Sequence, residues 1–217
     1  MNGQYLENVT SEKLLGVTLN HNLSWEEHIS CVISKVNSKL ALLRHIKGCL
    51  PIETRKLFSN AHILSYMDFC SNVWGNSPHV QDLFLAQKRV ARTILDIKGK
   101  AIISPENRTH NLLSHLNWMC IQDRINYRQV TMVFKSINGL APQYMSDMFN
   151  FATNRENTRQ YNRKVLTVPP GKHKVVFEQS YKYSSVQLWN KVKPEIRDSC
   201  SLNTFKSNYL KDYFNNV

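Results

Sequence analysis

The sequence contains few of the residues on which several common functions depend. Only 7 of its 217 residues are glycine, and no glycine-rich loop or Gly-x-Ser-x-Gly segment is present, which argues against a nucleotide-cradling loop and a hydrolase nucleophile elbow. No apolar run approaches the roughly 20 residues that a membrane-spanning helix needs. The 5 cysteines include no close pair, and no apolar segment follows a basic start. We therefore expect an intracellular protein with reduced thiols, in the nucleus, the cytoplasm or both, and no membrane partner.

Acidic residues are also scarce relative to basic ones. The chain has 28 Lys and Arg against 16 Asp and Glu, a net charge of +12, which favours a polyanionic partner such as nucleic acid. The tail, residues 151–217, holds 12 of the basic residues and 5 of the acidic ones. Its most basic stretch contains Arg155, Arg159, Arg163 and Lys164, which we interpret as candidate phosphate contacts.

The sequence offers only weak candidates for a metal site. His28 with Cys31 and His45 with Cys49 have workable spacing for zinc, but no Cys-x-x-Cys or knuckle pattern joins the two pairs. Single Cys and His residues are more often core or surface groups than metal ligands. We therefore expect no metal and no cofactor in this chain.

The amino-terminal residues predict a β-hairpin that leads into a helix. We expect a turn near Thr10-Ser11-Glu12 and a second strand over Leu14–Leu19, in which apolar residues alternate. Gly16 would let another backbone approach closely, although an ordinary strand glycine beside a bulge is an equally good interpretation. Ser24 and Glu27 predict a capping box at the start of the helix.

The remaining pattern is mainly helical. Apolar residues at three-to-four spacing predict helices over residues 24–47, 51–74, 80–98, 112–138, 185–197 and 202–214, with a short helix after Pro142. Val165–Val168 and the segment from Val175 to Tyr183 suggest two short strands. The predicted fold is mainly α, with an N-terminal β-hairpin, a helical bundle and a small basic α+β subdomain at the C-terminus. The predicted domains are a hairpin (1–20), a helical bundle (21–98), a helical extension (99–150) and a basic, aromatic-rich subdomain (151–217).

Several short motifs resemble, in the same order, those of one known family. The segment Leu15-Gly16-Val17, followed by Leu23-Ser24-Trp25 and His28-Ile29, resembles the region after the palm in reverse transcriptases of non-LTR (LINE-type, jockey-like) retrotransposons. Further matches along the chain are Tyr66, Val73-Trp74-Gly75, Gln87, Arg89, Arg92, Leu116, Trp118, Gly139-Leu140-Ala141-Pro142-Gln143-Tyr144, Leu188-Trp189-Asn190, Pro194-Glu195-Ile196-Arg197, Ser201-Leu202 and Phe205-Lys206. The family usually has a proline where this chain has Lys193.

The resemblance implies an RNA-directed DNA polymerase fragment without its chemistry. The hairpin would be a primer grip and residues 13–98 would include the thumb, which contacts the RNA or RNA/DNA template-primer through phosphates and 2′-hydroxyls. The magnesium-binding aspartates of the full-length enzyme would lie in a palm that this chain lacks, together with the fingers. Tyr66-Met67-Asp68-Phe69 looks like half of such a motif, but it falls within a helical pattern.

The predicted nucleic-acid contacts combine the resemblance with the charge pattern. They are Gly16, Lys35, Lys39, Lys88, Arg89, Arg92, Arg155, Arg159, Arg163 and Lys164. We expect this chain alone to be inactive as an enzyme and to bind template-primer or element RNA weakly. The alternative is a degenerate transposon-derived helical scaffold for protein interaction that has no nucleic-acid activity.

Overall fold

The computed structural model describes residues 9–97, 112–152, 164–170 and 180–216. The structure is mainly helical, and a two-stranded antiparallel hairpin near the N-terminus precedes the helices, which confirms the predicted fold class. None of the helices within these residues is both long and apolar enough to cross a bilayer. All five cysteines are free thiols.

The described elements are two strands and ten α-helices with two further helical turns. The strands are β1 (Ser11–Leu14) and β2 (Val17–Asn20), and a 3-10 turn (Lys47–Cys49) and a π-helical turn (Asn60–Leu64) interrupt the helices. The α-helices are α1 (Glu26–Ile46), α2 (Ile52–Ser59), α3 (Ser65–Asp68), α4 (Ser71–Trp74), α5 (Val80–Ile94), α6 (Ile121–Ile137), α7 (Gln143–Ser146), α8 (Tyr181–Lys191), α9 (Pro194–Arg197) and α10 (Leu202–Asn215).

The chain divides into two compact units. Unit 1 comprises Met1–Cys70 and Ser77–Ile121, and unit 2 comprises Ser71–Asn76 and Gln122–Val217. The short helix α4 therefore belongs to the second unit, although both of its flanking segments belong to the first.

The hairpin turn lies later in the sequence than predicted. Leu14 pairs with Val17, and the two residues between them, Leu15 and Gly16, have φ values of 47° and 88°. Two-residue hairpin turns whose twist matches that of the strands require positive φ at both central residues, and glycine adopts positive φ without strain. The predicted turn near Thr10 and the predicted continuous strand over Leu14–Leu19 are both wrong, because Gly16 turns the chain.

The start of α1 also differs from the prediction, because Ser24 does not cap the helix. The Ser24 hydroxyl accepts a hydrogen bond of 2.8 Å from the Asn20 amide nitrogen, and the Ser24 N–H donates to Asn20 Oδ1 at 3.0 Å. Trp25 takes the N-cap position with φ of 64°, and its side chain makes no capping bond. Glu27 accepts from the Ser11 hydroxyl at 3.3 Å, so it ties the helix to the hairpin instead.

The core of unit 1 forms where α1 packs against α5. The apolar stripes of the two helices are fully buried there, and they consist of Ile29, Val32, Val36, Leu40 and Leu43 on α1 with Val80, Leu83, Val90 and Ile94 on α5. Gln87 is the exception on α5, since it is polar and yet 0% exposed. Its side-chain nitrogen donates to the Met119 carbonyl and its oxygen accepts from the Ile121 N–H, both at 2.9 Å.

The core of unit 2 is aromatic. Phe134 on α6 stacks on Phe205 of α10 with ring centroids 4.5 Å apart, and Trp189 of α8 stacks on the same Phe205 at 5.9 Å. Trp189 donates its indole N–H to the Lys164 carbonyl at 2.7 Å. Asn190 exchanges two hydrogen bonds of 2.9 Å with the backbone of Leu166. These contacts fix the segment 164–167 against α8.

The described residues of the C-terminal region do not form the predicted strands. Tyr181 and Tyr183 lie in α8, so their assignment to a strand is wrong. The first predicted strand is reduced to a single antiparallel bridge between Phe151 and Leu166. The predicted strand residues 175–177 lie outside the described residues. Ser180 accepts from the Tyr183 N–H and so opens α8, which explains why the tyrosines after it are helical.

We predict that Gln87→Met destabilises the protein by about 2–4 kcal/mol. The substitution leaves a buried N–H at Ile121 and a buried carbonyl at Met119 without their partner, and each such group costs about 1–3 kcal/mol. Gln81 lies exposed on the same helix, so Gln81→Met is the matched control. Urea unfolding measures both, and equal midpoints for the two variants would contradict the assigned role.

We also predict a loss of stability at mildly acidic pH that depends on His28. Burial lowers the pKa of His28 below its usual 6.5, and the positive charge of Lys35 lowers it further. The neutral ring accepts a hydrogen bond from the Thr18 N–H through Nδ1 at 3.2 Å. A lowered pKa means that the folded state binds fewer protons, so this stability is complete above pH 6.5 and is lost as the pH falls through the folded-state pKa.

The comparison is between wild type and His28→Asn, whose side-chain oxygen can still accept from Thr18. Urea unfolding at pH 7.5 and pH 5.5 should show a smaller decrease in unfolding free energy for the variant. The other histidines are present in both proteins, so an identical decrease would rule out His28 as the source.

Candidate nucleic-acid interface

Four cationic side chains surround a pocket in unit 1. The pocket has a volume of about 420 Å³ and lies where the C-terminal ends of α1 and α5 meet. Its lining consists of Arg44, Lys47, Arg89, Arg92, Thr93, Asp96 and Ile97. Four cations and one carboxylate therefore surround it, which leaves three net positive charges. We call it the basic pocket.

Helical spacing explains why these side chains converge. Arg44 and Lys47 follow one another by three residues at the end of α1, and Arg89 and Arg92 do the same on α5, so each pair lies on one side of its helix. The buried stripes of α1 and α5 hold the two helices together. The packing thus places two basic pairs on the same side of unit 1.

The chain after α5 places Asp96 at the pocket. Ile97 N–H donates to the Arg92 carbonyl at 3.0 Å, and Asp96 N–H donates to the Thr93 carbonyl at 3.4 Å. With φ of 53° at Asp96, this is the Schellman arrangement that commonly ends helices, with aspartate where glycine is usual. The Asp96 carboxylate forms an ion pair with Lys47.

Arg55 satisfies the carbonyl end of α5 from another direction. Its Nε donates to the Leu50 carbonyl at 2.8 Å, and one terminal nitrogen donates to the Ile94 carbonyl at 3.1 Å. The last carbonyls of a helix lack partners within the helix and carry partial negative charge, so a guanidinium is well suited there. Arg55 therefore has a structural role that its position in the sequence does not reveal.

The predicted contacts on the helices do not all meet. Arg89 and Arg92 line the basic pocket, whereas Lys35, Lys39 and Lys88 do not. Lys35 Nζ lies 5.7 Å from the centre of the Tyr66 ring, and Lys88 Nζ lies 4.2 Å from that of Phe84, its neighbour on α5. Both distances are within the range of cation–π attraction, which holds the Lys88 ammonium close to α5 and the Lys35 ammonium of α1 close to α3.

The other predicted contacts are more dispersed. Gly16 lies in the hairpin turn, where a Cβ atom would meet a carbon of the Phe69 ring at 3.2 Å. Lys164 lies in unit 2 with φ of 45°, and its ammonium donates to the Arg197 carbonyl at 3.5 Å. Arg155, Arg159 and Arg163 lie outside the described residues. Their part in binding stays a prediction.

Sequence reasoning missed Arg44 and Lys47. Basic residues in the last turn of a helix are common, because they compensate the negative end of the helix dipole. That pattern alone gives no reason to distinguish Arg44 and Lys47 from the other basic residues of the surface. Only the packing of α1 on α5 shows that they face a second basic pair.

The weak metal candidates do not come together. The Nδ1 atom of His45 lies 2.8 Å from the Ala41 carbonyl oxygen one turn earlier in the same helix. Asp68 is the last residue of helix α3. Across the described parts of the chain, no group of three or more His, Cys, Asp or Glu side chains is close enough to hold a metal ion.

Comparison with known proteins adds no assignment. No family model, no curated protein and no solved structure matches this chain.

Proposed function

We propose that this chain is the thumb and C-terminal region of a non-LTR retrotransposon reverse transcriptase, and that it contacts template-primer or element RNA. The chemistry of the parent polymerase would depend on Mg²⁺ bound in the palm of the full-length enzyme. Two kinds of support exist: the ordered series of family-like motifs along the chain, and the basic pocket. The pocket carries the proposal, because it gives a polyanion a place to bind.

The motif residues have structural tasks that suit their chemical types. Gln87 bonds to the backbone at both Met119 and Ile121, and Asn190 does the same at Leu166. Gly75 has no room for a side chain, since a Cβ atom would lie 2.4 Å from the Ser71 carbonyl oxygen and from a methyl group of Ile125. The resemblance therefore includes residues that make specific structural contacts in both units.

The expected mode of binding does not depend on base sequence. Arg and Lys side chains at the basic pocket offer donors and positive charge, which suit phosphate oxygens. Contacts to phosphates position a protein on a nucleic acid but carry no sequence information. The chain would thus help to hold a template-primer of any sequence, as a polymerase requires.

Binding should weaken steeply as salt is added. Each neutralised phosphate on a duplex contributes about −0.9 to the slope of log K against log salt concentration, so three net charges predict a slope of about −2 to −3. Fluorescence anisotropy of the full chain with a labelled RNA/DNA heteroduplex, between 50 and 200 mM salt, measures it. An affinity that does not change over this range would show that the basic residues are merely solvated, and would favour the scaffold alternative.

The chain alone should not extend a primer. The carboxylates that hold two metal ions for polymerisation are expected in the palm, so addition of Mg²⁺ and deoxynucleotides to a template-primer should give no product above a buffer control. A gel-based extension assay tests this, with an active reverse transcriptase as the positive control. Extension by the purified chain would overturn the assignment of its chemistry to a missing palm.

A further inference from the structure

We propose that the basic pocket binds two consecutive phosphate groups of one nucleic-acid strand. In the absence of nucleic acid, the Asp96 carboxylate forms an ion pair with Lys47, and a phosphate group replaces it on binding. This inference rests on the proposed function, since it names the part of the nucleic acid that the pocket would hold. It adds Arg44, Lys47 and Asp96 to the binding residues.

The size of the pocket favours more than one phosphate. Its volume is about 420 Å³, whereas a water molecule occupies about 30 Å³ in the liquid. A phosphate group has five heavy atoms and is only a few times larger than water. The pocket therefore has room for two phosphates and the sugar that joins them.

The charges of the pocket also favour two phosphate groups as the ligand. Three arginines and one lysine face one carboxylate, and two phosphodiesters bring one negative charge each, so the pocket would neutralise them with one positive charge remaining. Guanidinium groups pair with phosphate oxygens through two parallel hydrogen bonds, and lysine acts as a point charge. Because the arginines come from two helices, they can reach neighbouring phosphates from opposite sides.

Asp96 is an anion already present at this site. Its ion pair with Lys47 takes up one of the four cations, so a phosphate at that cation must displace the carboxylate. The backbone position of Asp96 does not depend on this pair, because the helix-ending bonds of Ile97 and Asp96 to Arg92 and Thr93 hold it. Asp96 therefore lowers the affinity of the pocket without being needed for its shape.

A structural explanation of the same cations makes different predictions. Cations near the C-terminal ends of two helices stabilise the negative ends of the helix dipoles. If that were their whole task, their removal would lower stability and leave binding of nucleic acid unchanged.

The first test compares two double variants of the full chain. Arg44→Gln/Arg89→Gln removes two exposed cations from the pocket, and Lys191→Gln/Lys211→Gln removes two exposed cations from unit 2. Each lost phosphate contact should reduce the salt slope on single-stranded RNA by about 0.7, so the pocket variant should lose about 1.4. The control pair should keep the wild-type slope. Equal slopes for the two variants would overturn the proposal.

The second test releases Lys47 with Asp96→Asn. Asparagine tolerates positive φ, so the end of α5 should be preserved. Removing one negative charge from a partly exposed pocket should raise the affinity for single-stranded RNA about three- to tenfold at low salt. The gain should vanish when Arg44→Gln/Arg89→Gln is added. An unchanged or lower affinity for Asp96→Asn alone would overturn the competition with Asp96.

Pyrophosphate separates failure of this inference from failure of the proposed function. It presents two linked phosphates without base or sugar, and NMR of the arginine Nε–H groups reports its contact with Arg44 and Arg89. If pyrophosphate shifts these signals but the chain binds no nucleic acid, the proposed function is wrong and the anion site stands. If RNA binds with a salt slope that the pocket variant does not alter, the proposed function stands and this inference is wrong.

Discussion

The packing of α1 on α5 is the interaction on which the basic pocket depends. The apolar stripes are continuous along both helices, so the two helices stay adjacent up to their C-terminal ends. That contact brings together four cationic side chains, whose charges repel one another. The energy comes from the burial of aliphatic side chains, about 25 cal/mol for each Å² removed from water, and the electrostatic cost is lowered by Asp96 and by the helix ends themselves.

Each unit also contains a carboxamide, buried at Gln87 and half-buried at Asn190, that bonds to a distant piece of backbone in the same way. Gln87 in unit 1 and Asn190 in unit 2 each donate to a carbonyl and accept from an N–H, as a neighbouring β-strand would. Such a side chain joins a helix to a segment of backbone that is distant in the sequence. A carboxamide offers its donor and its acceptor on separate atoms of one planar group, as the peptide group does, and an apolar residue of similar size offers neither.

The sequence predicted those parts of the structure that depend on local periodicity. The helices α1, α5, α6 and α10 appear close to their expected positions, because an amphipathic stripe such as that of α1 is visible in any short window. The predictions of the hairpin turn and of the start of α1 were wrong. Gly16 and Ser24 each have two locally reasonable roles, and tertiary contacts determine which role each residue adopts. At the candidate site, the charge of α5 was evident from the sequence. Its convergence with the end of α1 was not, since it arises from contacts between residues about 45 positions apart.

The assignment of Ser71–Asn76 to the second unit, while the residues on both sides belong to the first, affects how this chain can change during evolution. No single break in the gene separates the two units, because the polypeptide passes from the first to the second, back, and again to the second. A break at either of the first two crossings would leave the rest of unit 1 without α5, and a break at the third would leave unit 2 without the buried Trp74. One cut of the chain therefore never yields both units complete.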